Sequence, residues 1–211
     1  DTFGQAPEPI PNAYIVWSIT ESDKDSAPGE KVDLTKEIEA LTKQAESSKD
    51  PYFIALVANC LLNRSMDATA YLKKLTELQK QPEGFLPGAE ARITRSGGRD
   101  LLIESTALGV LAWLKANQPL TYHKNVQSAV KWIGQQRGGH GSFGSTQSTI
   151  LALKALIAYA KANKATPEPV ELAVFVGDKM VASKTFAPGS ADALVLDIPD
   201  AEKVLAAGKN N

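Results

Sequence analysis

Apolar residues along this chain fall into two kinds of stretch, and the two kinds alternate. "NAYIVWSIT", "DPYFIALVANCLL", "LLIESTALGVLAWL" and "STQSTILALKALIAYA" are apolar nearly all round a helix, which is the pattern of a segment without a solvent face. Between them lie segments apolar on one side only: Leu34, Ile38, Leu41 and Ala45; Ala68, Leu72 and Leu75; Val126, Ala129, Val130 and Ile133. Their spacing of three or four residues predicts amphipathic helices. The first kind belongs inside and the second outside, so the chain reads as helices in two environments rather than as a simple bundle.

Start signals agree with this division. Asp50 followed by Pro51 is an N-cap with proline at the first helical position, and Ser145 with Thr146 can cap the last apolar helix. The approaches to the inner helices also repeat. "DTFGQAPEPIPNAYIVWSI", "EGFLPG" leading to "IESTALGVLAWL", and "GSFGSTQSTILALKAL" each give a Gly/Phe turn, a polar cap and a helix of small and apolar residues. A repeat of outer helix, loop and inner helix predicts concentric helical hairpins, an α/α toroid or a curved solenoid. Ala107, Gly109, Ala152 and Ala155 are the small residues that would let inner helices approach closely.

After "KANKATPEP" the period changes. Pro167 and Pro169 end the helical region, and "VELAVFVGDKMVASKTFA" alternates as strands do around a Gly177-Asp178 turn; "ALVLDIP" reads as a further strand. The fold class expected is mainly α, a partial α/α toroid over residues 1–166, followed by a β segment over 167–211 that is too short for a complete sandwich.

Composition narrows what such a fold could do. With 211 residues, 43% hydrophobic, and a net charge of -1, the chain can build one sizeable core but offers no electrostatic case for nucleic acid or an anionic membrane. Charge is uneven: no acidic residue lies between Glu104 and Glu168, where seven lysines and arginines fall, a pattern we read as a solvated rim. Cys60 is the only cysteine, so no intrachain disulfide is possible. The longest apolar run is too short to span a bilayer, and the first residues do not form a signal peptide.

The stretch "GGHGSFGSTQST" invites a chemical reading. A phosphate cradle would need a strand before the glycines, whereas "NVQSAVKWIGQQR" is helical, and neither the Walker nor the dinucleotide pattern is met. His140 with Ser142 or Ser145 would form a pair in one loop without an orienting carboxylate. The structural reading is that Gly138, Gly139 and Gly141 reverse the chain, Phe143 plugs the core, and Ser145, Thr146 and Gln147 satisfy backbone groups at the start of the next helix, with Gly144 part of the same turn.

These residues carry a resemblance. "VKWIGQQRGGHGSFGSTQSTILALKALIAYAKA" resembles the last helical pair of the thioester-containing domain of α2-macroglobulins and complement components. "IESTALGVLAWLKA" is similar to the inner helix before it, including Glu104-x-Thr106, and "DTFG…NAYIVWSITES" to an earlier one. The resemblance covers roughly residues 1 to 165 and implies a toroid whose N-terminal part is missing. Residues 167–211 would then begin a CUB-like or macroglobulin-like β domain.

The resemblance implies a fragment of a large protease trap or opsonin, with proteases as partners of the intact parent and the parent's other macroglobulin domains as partners of this chain. In that family a Cys-Gly-Glu-Gln motif forms the thioester. This chain has no such motif: Cys60 precedes Leu61, Leu62 and Asn63 within an apolar helix and reads as a core thiol. The loop from Phe3 to Asn12, where some members carry an acyl-transfer histidine, has none. His123 reads as a surface residue, and His140 occupies a different turn. No catalytic residue, metal site or cofactor is therefore assigned, and the chain is read as non-enzymatic. The absence of disulfides in an extracytoplasmic family points to a bacterial, periplasmic or envelope-anchored member. Two alternatives stay open: a helical-repeat binding module, and a prenyltransferase or terpene-cyclase-like enzyme, which would need an acidic cluster or zinc site.

Overall fold

The computed structural model describes residues 9–88, 98–139, 141–163, 169–186 and 198. Contacts divide the chain into two units, Asp1–Tyr159 and Ala160–Asn211. The described residues form seven helices: α1 (Pro9–Ser22), α2 (Thr35–Ser47), α3 (Pro51–Asn63), α4 (Thr69–Leu78), α5 (Arg99–Lys115), α6 (Pro119–Gln135) and α7 (Thr146–Ala162). Two strands follow, β1 (Val170–Val176) and β2 (Lys179–Phe186). The fold is mainly α, a helical toroid segment followed by a short β segment.

Burial follows the expected alternation most closely in the middle of the series. Helix α3 buries every residue except Leu62, and α5 buries the whole run from Ile103 to Trp113. The two pack on each other, with α1, α2 and α4 also against α3 and α4 and α6 against α5. Outer helices α2, α4 and α6 each bury one stripe: Ile38, Leu41 and Ala45; Tyr71, Leu72 and Leu75; Tyr122, Val126, Ala129 and Ile133. At the ends of the series the expectation of full burial fails. Ile15 on α1 and Ile150, Leu153 and Ile157 on α7 are about half exposed. A helix apolar all round needs neighbours all round, and among the described residues none covers these faces.

Local chemistry sets the helix starts. Asp50 accepts from the Tyr52 backbone N–H at 2.9 Å, with Pro51 in the first turn. Helices α2 and α4 share a start that the apolar pattern does not reveal. Asp33 accepts from both the N–H and the hydroxyl of Thr35, and Asp67 does the same for Thr69. The same Asp-x-Thr unit thus opens two successive outer helices.

The loops before α5 and α7 are likewise two copies of one device. Leu86 and Phe143 insert into the core, 0% and 2% exposed. The Leu86 N–H donates to Thr106 Oγ1 at 2.9 Å, and the Phe143 N–H donates to Thr149 Oγ1 at 3.0 Å. Glu104-Ser105-Thr106 and Gln147-Ser148-Thr149 stand in matching positions, each threonine satisfying the backbone of its own plug. In "EGFLPG" the plug is therefore Leu86, while Phe85 stacks on Trp132 with ring centroids 5.3 Å apart.

In the second unit β1 and β2 form an antiparallel hairpin about Gly177, with an irregularity between Val174 and Phe175. Phe175 and Met180 pair across it and are both more than half exposed. Apart from Ile198, the stretch "ALVLDIP" lies outside the described residues.

Candidate functional site

The turn from α6 to α7 is built from backbone bonds. The Gly138 N–H donates to Ser142 O at 2.8 Å and the Gly141 N–H to Gly138 O at 2.9 Å, with Gly141 at φ +82. Gly139 is exposed, and His140 lies outside the described residues. Ser145 is the cap of α7: its Oγ accepts from the Ser148 N–H at 3.2 Å, and Thr146 is the first helical residue. Ser148 is fully buried, and its hydroxyl donates to Phe143 O at 2.8 Å, tying the plug to the helix it precedes.

A residue that the sequence pattern does not flag, Asp100, fixes this turn from the first helical turn of α5. Its Oδ2 accepts from the Ser145 N–H at 2.8 Å. Its carboxylate also lies against Gly144, which has φ +95 and where a Cβ would stand 2.1 Å from Asp100 Oδ1. Only glycine satisfies both the left-handed backbone and the close approach. The neighbouring Arg99 reaches the same region through Gln136, donating from Nε to Gln136 Oε1 at 3.0 Å.

Gln147 points to the opposite end of the helical series. Its Nε2 donates to Tyr14 OH on α1 at 2.7 Å. Further along the same two helices Lys154 Nζ sits 5.2 Å from the centre of the Trp17 ring and 4.0 Å from Glu21 Oε1. These contacts bound a groove of about 390 Å³ between α1 and α7, lined by Tyr14, Trp17, Gln147, Ile150, Leu151 and Lys154. The indole Nε1 of Trp17 is buried and finds no hydrogen-bond partner among the described residues.

Inside the helical series burial keeps the Cys60 thiol and the Tyr52 hydroxyl protonated. Burial pushes the Cys60 thiol up to about 12, and its Sγ faces Ala13 O at 4.0 Å. Burial, reinforced by the charges of Glu104, Tyr14 and Asp50, raises the Tyr52 hydroxyl as well. A thiol held in this way is not a nucleophile, so Cys60 belongs to the core. Glu104 is fully buried on α5, and His123 is exposed on α6. Among the described residues no group of three or more histidine, cysteine or acidic side chains is placed to hold a metal.

A second polar cluster closes the opposite ends of the inner helices and was not legible as a unit in the sequence. Glu21 is the penultimate residue of α1, Asn63 the last of α3 and Lys115 the last of α5. Glu21 Oε2 accepts from Lys115 Nζ at 2.5 Å and from Asn63 Nδ2 at 3.1 Å, and Oε1 accepts from Lys24 at 3.0 Å. Lys115 Nζ also donates to Asn63 Oδ1 at 2.8 Å. Burial opposes ionisation of Glu21, but the hydrogen bond and charge of Lys115, with Lys24 and Asn63, outweigh it and hold the carboxyl at about 2. Beside this cluster Arg64 makes a two-bond pair with Asp23, at 2.6 and 2.8 Å. The only trace of the cluster in the sequence is that each apolar run ends on a polar residue.

Similarity to known proteins agrees with this architecture. The description "A-macroglobulin TED domain" matches residues 10–159. Complement C3 of Lethenteron camtschaticum is 25% identical over 157 residues, 70% of this chain and 9% of that protein. Complement C3 of Oncorhynchus mykiss is 26% identical over 145 residues, 67% of this chain and 8% of that protein. Ovostatin of Gallus gallus is 27% identical over 167 residues, 74% of this chain and 11% of that protein. The chain thus spans about a tenth of the length of these relatives. With its helical hairpins, paired plug loops and family match over residues 10–159, the chain belongs to the A-macroglobulin TED-domain family.

Proposed function

We propose that residues 9–159 are the closing part of the helical domain that houses and shields a thioester in a macroglobulin-like protease trap. The observation that carries this reading is the uneven burial of the inner helices. Helices α3 and α5 are enclosed, while α1 and α7 keep apolar faces and a groove open between them. A helical domain completed by further helices of a parent protein would cover those faces and gain the area they expose. Shielding of a thioester requires a dry, closely packed wall, and the small residues Ala107, Gly109, Ala152 and Ala155, all buried, supply close packing here.

The chain supplies the wall and not the chemistry. Cys60 is buried in mid-helix with a raised pKa, so the acyl group in this reading comes from elsewhere in the parent. The hairpin 170–186 is the opening of a following β domain; its exposed Phe175–Met180 pair supports this, because an isolated two-stranded hairpin is marginal in water. Proteases are the proposed partners of the intact parent, and the location proposed is extracytoplasmic.

The test uses the intact parent, mixed with trypsin with and without methylamine pretreatment. A heat- and detergent-stable adduct that methylamine abolishes is expected. Trypsin that forms no adduct and stays equally active on small and large substrates would remove the trap reading and favour a helical-repeat binding module.

A further inference from the structure

Glu21, Asn63 and Lys115 play no part in the reading above, yet their arrangement is one in which an amide can form. Lys115 Nζ lies 2.8 Å from the carboxamide oxygen of Asn63, and Glu21 Oε2 accepts from both partners, from Lys115 Nζ at 2.5 Å and from Asn63 Nδ2 at 3.1 Å. The amine is a nucleophile and the carboxamide an electrophile. A carboxylate touching both can take a proton from one and return it to the other. The three groups come from the ends of three packed helices, so they are held together without the entropic cost of meeting. Water has limited access, since Asn63 is 6% exposed and the Lys115 and Glu21 side chains are 20% and 16% exposed.

We propose that Lys115 and Asn63 become joined by an autocatalytic isopeptide bond, with Glu21 as the proton carrier. The step balances without any other reactant. Glu21 takes a proton from the Lys115 ammonium, and the freed lone pair of Nζ attacks Asn63 Cγ. The tetrahedral intermediate collapses by breaking the Cγ–Nδ2 bond. The leaving nitrogen takes up the proton held by Glu21 and the one shed by Nζ, and departs as ammonium. Net, one ammonium and one carboxamide give one secondary amide and one ammonium ion, and the chain loses the mass of ammonia.

The surroundings set the rate. Burial pushes the Lys115 amine below its usual range, which favours the nucleophilic form. Lys24 at 3.0 Å and Lys154 at 4.0 Å favour the ionised Glu21, so the neutral pair is a minor tautomer and the reaction is slow. The product would tie the end of α3 to the end of α5, closing a loop of chain that includes α4.

Intact-mass analysis of the 211-residue chain, freshly purified and after prolonged incubation below its melting temperature, tests the proposal. The expected result is a species lighter by one ammonia. After proteolysis it yields a branched peptide joining the segments around Asn63 and Lys115, and the species is absent in Lys115→Arg and in Glu21→Gln. A chain that keeps its full mass throughout overturns the proposal, as does ammonia loss mapped to any other residue pair. Mass loss that persists in Glu21→Gln removes Glu21 from the step. Because the wild-type mass is decisive alone, a variant that fails to fold leaves the test intact. Failure here would leave the trap reading untouched, since neither residue enters it.

Discussion

Leu86 lies directly over Gly109: a Cβ built on Gly109 would stand 2.5 Å from Leu86 Cδ1. The plug of one loop occupies the space that the smallest residue of α5 leaves free, and Leu86 is fully buried there with little room to move. The two should be coupled. Leu86→Ala alone is expected to destabilise by about 2–5 kcal/mol through the cavity it leaves. Gly109→Val should destabilise through overpacking by about 1–3 kcal/mol. The double variant should lie closer to wild type than the sum of the two, as read in a double-mutant cycle by denaturant unfolding. Strict additivity would show that the two side chains do not share a space.

Asp100 and Gly144 make a second tight relationship. Gly144→Ala is expected to destabilise by about 1–3 kcal/mol, because φ +95 and the 2.1 Å approach both oppose a Cβ. Asp100→Ala removes the acceptor for the Ser145 N–H and should raise hydrogen exchange at Ser145 and in the first turn of α7. Unaltered exchange there would mean that the turn is held without Asp100.

The Glu21 cluster predicts a window of acid sensitivity. Its folded pKa, about 2, lies below the ordinary 4.5, so its contribution is fully present above about pH 4.5 and is lost as pH falls towards 2. The contribution is about 2–3 kcal/mol after allowing for its partial exposure. Asp23, held at about 2 first of all by the hydrogen bond from Arg64, titrates in the same range. In urea titrations at successive pH values Glu21→Gln should therefore flatten the loss of stability between pH 4.5 and 2 without abolishing it. An unchanged slope would place the acid sensitivity elsewhere.

Cys60 should be silent towards alkylating reagents at neutral pH while the chain is folded, because burial holds the thiol protonated and out of reach. It should react stoichiometrically in denaturant. Rapid labelling of the native chain would mean that α3 opens readily or is not internal.

Adjacent residues on α7 give a sharp contrast. Ala152 is fully buried and Leu153 is 45% exposed. Ala152→Lys should strongly lower the melting temperature by burying an unpaired charge, whereas Leu153→Lys should change stability by no more than about 0.5 kcal/mol. Equal effects would contradict the half-buried placement of α7.

By itself the sequence determined the alternation of helices, because a helix apolar on one face and one apolar all round differ in periodicity and need only nearest-neighbour spacing to be told apart. It also determined the cap at Asp50, the cap at Ser145 and the hairpin about Gly177, since each depends on a few adjacent residues. Two local units were present but hidden by their polarity: the Asp-x-Thr starts at Asp33 and Asp67, and the threonines that cap the plugs from twenty and six residues downstream. Only the tertiary structure decided which all-apolar helices are enclosed. Ile150 and Ile54 carry the same side chain, yet one is 49% exposed and the other 0%, because burial depends on the neighbours a helix receives and not on its own pattern. The meeting of Glu21, Asn63 and Lys115 is of the same kind. Each stands in the last turn of its own helix, they are separated in sequence by 42 and 52 residues, and only the packing of three helices brings an amine, an amide and a carboxylate to one point.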